Sequence, residues 1–293
     1  MYHRILPPTD PRFAQEEPGM VVTPASFCQQ LRTLKHLFEP MFLSEWIERR
    51  AANKTLPPRA CAVTFDDGWL DNYEFALPIL RKEQVPSTLF AVSHMIGTTR
   101  QFWPNRLIRV LNTNHCRLNL DWLPGYKPQD TFDREQIAQY ILRCKQLSDA
   151  EISMHLDAAE ARLQLPTIDL PSLMNWEQLL TMQSSGVEIG SHTGNHYRLL
   201  ENLSAKLVEE EICQSKKMLQ EQLDKPVKLF CYPNGDACPV AIQLVQQHYL
   251  AAVTTQRGIN GRHTAAHNLQ RIGIHEDIGS TPTRFAARLS GWV

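Results

Sequence analysis

Five short apolar windows punctuate this 293-residue chain: Cys61–Phe65, Ser87–Val92, Val187–Gly190, Val227–Tyr232 and Leu250–Thr254. Each is rich in apolar or β-branched residues and bounded by Gly, Pro or Asp, the pattern of a buried strand. Helical patterns fill the intervals. Asn175-Trp-Glu-Gln178 places an Asn N-cap ahead of a Gln at the N3 position, and Gly186 stands where that helix would close. From Ser204 to Leu223, residues Val208, Ile212, Leu219 and Leu223 share one face, with Glu and Lys on the others. Strand, helix, strand in repeated order predicts a parallel sheet wrapped by helices. Catalytic residues in such folds sit on loops at the C-terminal ends of strands.

Between about Gln101 and Ser172 the pattern changes. Trp103-Pro-Asn-Arg-Leu-Ile-Arg-Val and Arg134–Cys144 read as helices, and Asp121–Asp130 as a Pro- and Gly-containing loop. The stretch is expected to be a helical insertion at about 101–172, within a single catalytic domain covering residues 1–293. No internal repeat or low-complexity segment stands out.

Composition narrows the function classes. Hydrophobic residues make up 43% and charged residues 21%, ordinary for a globular protein with a substantial core. With 30 Lys and Arg against 31 Asp and Glu, and no dense basic block, neither nucleic acid nor an anionic membrane surface is an expected partner. No apolar stretch approaches the roughly 18 residues of a membrane span. The opening Met1-Tyr-His-Arg-Ile-Leu-Pro-Pro lacks a basic segment followed by an apolar one. A cytoplasmic location is therefore expected, or an exported or periplasmic one where a leader precedes this sequence. Seven cysteines (28, 61, 116, 144, 213, 231 and 238) form no CxxC pair and are odd in number. They read as reduced, mostly buried thiols.

The chemistry gathers at two strand ends. Asp66-Asp67 ends the first apolar window, and Ser191-His-Thr-Gly-Asn-His196 ends the third. An Asp pair in that position also serves as a helix N-cap or turn, and an isolated HxxxH also occurs as two surface histidines. Together the clusters offer two imidazoles and a carboxylate for a metal, with a second carboxylate left for proton transfer. His192 and His196 share one face on a helical turn, and a tight loop can also converge them. Such a set leaves positions open for water and substrate, as hydrolysis by metal-activated water requires.

Thr64-Phe-Asp-Asp-Gly68 and His192-Thr-Gly-Asn-His196 resemble the first two motifs of the polysaccharide deacetylases, also called carbohydrate esterase family 4 or the NodB-homology domain. Tyr2-His-Arg-Ile5, Asn175-Trp-Glu-Gln178 and Phe230-Cys-Tyr-Pro-Asn-Gly235 extend the resemblance across most of the chain. It implies a deformed (β/α) barrel carrying a helical insertion. It also implies metal-dependent removal of an N-acetyl group from N-acetylhexosamine units of a polysaccharide, oligosaccharide or glycan precursor. Asp67, His192 and His196 would hold one divalent ion, zinc foremost, with cobalt or nickel as alternatives. Asp66 would be the general base. The loop of Tyr232 and Asn234 would stabilise the oxyanion through main-chain N–H near Asn234. His275 falls where the family carries a proton-donating His, although its apolar neighbours equally fit a strand residue.

The chain departs from the family pattern in the third motif, and no segment matches the fourth, whose Asp normally tunes the acid His. Many members carry an Arg in the third motif that orients the catalytic Asp, and here the position is Cys231. Arg257 or Arg271 is a candidate replacement. The double reading of His275 keeps open an O-acetyl esterase or other amide hydrolase on the same fold, and the missing Arg keeps open a catalytically silent carbohydrate-binding barrel. Bland roles are expected elsewhere. Asp71 and Tyr73 cap and pack the next helix, Trp69 and Trp103 are core aromatics, Cys231 and Cys238 pack, and His3 is structural.

Overall fold

A computed structural model of the chain describes residues 1–17, 19–114, 118–167 and 172–290. Its centre is a five-stranded parallel sheet of Val63–Phe65, Ser87–Ala91, Val187–Ser191, Leu229–Cys231 and Ala251–Val253, arranged side by side in chain order. Parallel neighbours need crossover connections, and helices supply them. All five predicted windows are thus strands. The first is divided: Val63–Phe65 enters the central sheet, while Ala60–Cys61 pairs in parallel with Glu39–Pro40. The division follows burial, because Val63–Phe65 is buried throughout and Ala60–Cys61 is half-exposed.

The sheet curls beyond its formal edges. Tyr2 bridges Phe65 on one side, Leu269 bridges Val253 on the other, and the Ile274 N–H donates to the Met1 carbonyl at 3.0 Å between them. The result is the deformed (β/α) barrel expected from the resemblance. Tyr2, Phe27 and Phe65 pack against one another inside it, with ring centres 5.1 to 5.7 Å apart. Phe27 comes from the Pro24–Leu37 helix, where Thr23 accepts the Ser26 N–H and Pro24 takes the first turn, so the start is set by local chemistry.

The Asn175–Gln178 capping box is present in both directions, and Gly186, with φ of 88°, follows the helix in the left-handed region. Val208, Ile212, Leu219 and Leu223 are all buried as their spacing predicts. Their segment is not a continuous α-helix, however. Ala205–Glu209 and Ser215–Leu223 are joined by a π-helical turn at Glu210–Gln214.

Helices Trp103–Asn114, Arg134–Cys144 and Asp149–Leu163 enclose a cluster of their own, including Leu107, Leu111, Ile141, Ile152 and Leu156. Capping boxes at Asp133 and Ser148 start the second and third of them. This unit is tied to the barrel at Arg198, two residues after His196. The Arg198 main-chain N–H and Nε donate to the two oxygens of Asp149 at 2.8 and 2.9 Å, and its Nη1 donates to the Lys145 carbonyl at 2.7 Å. Arg198 and Asp149 are both buried. Among the described residues, Cys144, Cys231 and Cys238 are buried free thiols and Cys28, Cys61 and Cys213 half-buried ones; Cys116 lies outside the described residues. No helix among the described residues is long and apolar enough to cross a membrane.

Candidate active site

Asp66 and Asp67 leave the first sheet strand through a sharp reversal. The Asp66 N–H donates to the Tyr2 carbonyl, the Gly68 N–H donates back to the Asp66 carbonyl, and Asp67 takes φ of 78°. His192 leaves the third strand beside it, with its N–H on the Ala91 carbonyl at 2.9 Å. The segment after it is a tight loop, not a helix. Thr193 and His196 have φ of 66° and 64°, and the His196 N–H donates to Thr193 Oγ1 at 2.9 Å. Left-handed backbone at non-glycine residues costs roughly 1–3 kcal/mol each and persists where the surroundings over-determine it.

This backbone brings the two imidazoles to one carboxylate oxygen. His192 Nε2 and His196 Nε2 each lie 3.4 Å from Asp67 Oδ1. The other Asp67 oxygen accepts from Trp69 Nε1 at 2.8 Å. His192 Nδ1 donates to the Cys231 carbonyl at 2.8 Å, which turns Nε2 toward Asp67. Phe102 packs edge-on against His196, with ring centres 4.8 Å apart. One oxygen and two imidazole nitrogens, with the His192 tautomer set by the Cys231 carbonyl and the His196 ring packed on Phe102, fit a divalent metal. A second candidate group of Asp66, His192 and Cys231 fits one poorly, because the Arg271 guanidinium already occupies it.

Arg271, and not a residue of the third motif, supplies the positive charge beside Asp66. Its Nη1 and Nη2 donate to the two oxygens of Asp66, each at 2.7 Å, and Nη2 stands 3.1 Å from Cys231 Sγ. Nε donates to the Thr254 carbonyl at 2.8 Å. The small thiol at 231 leaves room for a guanidinium arriving from the irregular segment after Leu269. Arg257, the other candidate, is exposed.

Charge in the site is set by burial against pairing. Burial pushes the Asp66 carboxyl up, and the Arg271 charge and hydrogen bonds overcome it, so Asp66 titrates below the usual carboxylate range. Burial also raises Asp67, while the His192 hydrogen bond and the charges of His196, His3 and His192 bring it down to about 2. Burial and the neighbouring His192 lower His196 to about 4, favouring the neutral form that ligation needs.

The remaining predicted residues divide. His3, read as structural, has its Nε2 3.8 Å from Asp66 Oδ2. His275 is the N-cap of a short helix, with Nδ1 3.3 Å from Asp277 Oδ2. Tyr232 is buried against Phe230, and its N–H is taken by the Val253 carbonyl. Asn234 turns with φ of 56° and is exposed, and its Oδ1 accepts from Lys145 of the insertion at 2.7 Å. Trp69 is buried, whereas Trp103 is half-buried and lines a cleft with Phe102, Asp149, Asn195, His196 and Tyr197. The cleft therefore runs between the barrel and the insertion. A more apolar cavity lined by Phe38, Trp46, Cys61 and Ile259 reaches the back of Arg271 but includes neither the Asp pair nor the histidines.

An α/β barrel with two imidazoles converging on a strand-end carboxylate, and a second carboxylate clamped beside it, defines a class of hydrolase-type sites. The family model described as Polysaccharide deacetylase matches residues 53–253, and the chain belongs to that family. YxkH of Bacillus subtilis (strain 168) is 20% identical over 220 residues, covering 74% of this chain and 53% of that protein. The chain thus spans about half the length of this curated relative. Among solved structures, Streptococcus pyogenes deacetylase PplD, in complex with acetate, superposes with a TM-score of 0.65 at 19% identity, covering 98% of this chain and 95% of that one. IcaB from Ammonifex degensii gives 0.63 at 20% identity, with 99% and 94% covered. At these identities the two structures bear on the fold.

Proposed function

We propose that the chain is a metal-dependent hydrolase removing N-acetyl groups from N-acetylhexosamine units of a polysaccharide, oligosaccharide or glycan precursor. It acts as one catalytic domain over residues 1–293, with the insertion near 101–172 walling the cleft. The observation that carries the reading is Asp67 Oδ1, 3.4 Å from the Nε2 atoms of both His192 and His196. These three residues would hold the metal. A divalent ion there, zinc by the chemistry of the set and cobalt or nickel as alternatives, supplies a Lewis acid that acidifies water and polarises the acyl carbonyl.

The chain's own residues do the rest. Asp66 takes the proton of the attacking water, and Arg271 holds that carboxylate ionised and in one orientation. The water oxygen adds to the acyl carbon, the C–N bond breaks, and the departing amine takes a proton as acetate leaves. His3 replaces His275 as donor of that proton, since it is the imidazole adjacent to Asp66. The Asn234 main-chain N–H is the oxyanion contact in this reading, and Tyr232 supports the turn from the core. The silent-barrel alternative rested on the missing Arg at Cys231, and Arg271 fills that place.

The test measures metal per chain by elemental mass spectrometry for the parent and the His192→Ala/His196→Ala double variant. Acetate release is then compared on N-acetylated and O-acetylated glycans, with Asp66→Asn as control. About one ion per chain, lost in the double variant, is expected. N-acetyl release that requires Asp66 is expected too. A parent that takes up no zinc, cobalt or nickel, or an Asp66→Asn chain with parental turnover, would overturn the proposal.

A further inference from the structure

One helical segment holds the loop of His192 and His196 from behind. Residues 191, 193 and 195 bond to that segment, while the two histidines face Asp67. Ser215 Oγ donates to the Thr193 carbonyl at 2.9 Å and pairs with Ser191 Oγ at 2.7 Å. Glu211 takes two donors of Asn195: Oε2 accepts the main-chain N–H at 2.8 Å, and Oε1 accepts Nδ2 at 2.6 Å. Asn195 Nδ2 also lies 3.1 Å from His94 Nδ1, and its Oδ1 accepts from Arg100 at 2.9 Å.

Glu211 is 1% exposed, so its carboxylate has given up water for these two N–H groups. Such an acceptor is kept at one point because releasing it leaves a buried charge unsatisfied. It stands in the π-helical turn Glu210–Gln214, just ahead of Ser215, and both side chains reach the same loop. Single π turns inside α-helices recur at functional sites. The fit leaves no room for a side chain at Gly194, where a Cβ would come within 2.9 Å of His94 Nδ1 and 3.3 Å of Glu211 Oε1.

We infer that Glu211 is a positioning residue for the metal centre, clamping Asn195 by main chain and side chain so that His192 and His196 meet Asp67 at the spacing a metal requires. The inference rests on the proposed metal site. It adds a residue 15 or more positions beyond the loop, acting through Asn195 and not through the ion.

The test reads Co²⁺ affinity and the visible spectrum of the Co²⁺-loaded full chain, with unfolding of the metal-free protein followed alongside. Glu211→Gln turns an N–H₂ group toward a donor of Asn195 and is expected to weaken Co²⁺ binding by roughly 10- to 100-fold and alter the spectrum. Adding Asn195→Asp gives the new amide a carboxylate to donate to, and the double variant is expected to recover affinity. Should Glu211→Gln fail to fold, Asn195→Ala removes the side-chain half of the clamp and is expected to weaken binding as well. Parental affinity and spectrum in Glu211→Gln, or in Asn195→Ala where that variant decides, overturn the role of Glu211 alone. A parent that binds no Co²⁺ overturns it together with the metal site.

Discussion

Arg271 grips Asp66 with a two-point fork, Nη1 to Oδ1 and Nη2 to Oδ2, both at 2.7 Å, across 205 positions of sequence. Both partners are buried, and the planar guanidinium matches the carboxylate as an ammonium could not. The pair fixes the rotation of Asp66 and keeps it charged beside Asp67.

Removing the fork has a pH signature. The folded-state pKa of Asp66 is depressed, so its stabilisation is present above the ordinary carboxylate pKa and lost as pH falls through the depressed value. In Arg271→Ala, burial is opposed only by the weaker pull of His192 and His3, and that pKa rises. The acid limb of acetate release is expected to move to higher pH, with about 3 kcal/mol lost at neutral pH in denaturant titrations. Arg257→Ala, at an exposed position, is expected to leave both unchanged. An unmoved acid limb in Arg271→Ala would remove Arg271 from the mechanism.

The proton donor separates two histidines. Amide cleavage needs a protonated leaving nitrogen, whereas an alkoxide departs from an ester more readily. His3→Ala is therefore expected to slow N-acetyl release by roughly 10²- to 10⁴-fold and O-acetyl release far less. His275→Ala, paired with Asp277, is expected to keep near-parental rates on both. The opposite ranking in steady-state acetate assays would return the role to His275.

Docking of the insertion rests on Arg198. Arg198→Ala leaves buried Asp149 with only the main-chain N–H of its present contacts with residue 198. A loss of about 3 kcal/mol is expected from breaking a buried pair, together with faster proteolysis around Lys145–Asp149. Unchanged melting and cleavage would mean that other contacts hold the insertion.

Much of the fold was legible because its signals are local. Strand windows, the Asn175 and Ser204 helix starts and the helical face of Val208 to Leu223 depend on residues a few positions apart. Spacing also picked out Asp66–Asp67 and His192–His196, since each pair closes a strand. It left the turn at His192–His196 open between helix and loop, and it missed the π turn, which packing against that loop accompanies.

By itself, then, the sequence determined which strands form, in what order, and which short clusters end them. Tertiary structure alone decided that Arg271 and not Arg257 meets Asp66, that His3 comes beside it, and that Glu211 bonds to the histidine loop. The reason is distance along the chain. Local propensities act over a few residues, whereas the approach of Arg271 or His3 to Asp66 is fixed only when curling of the sheet brings the strand ends together.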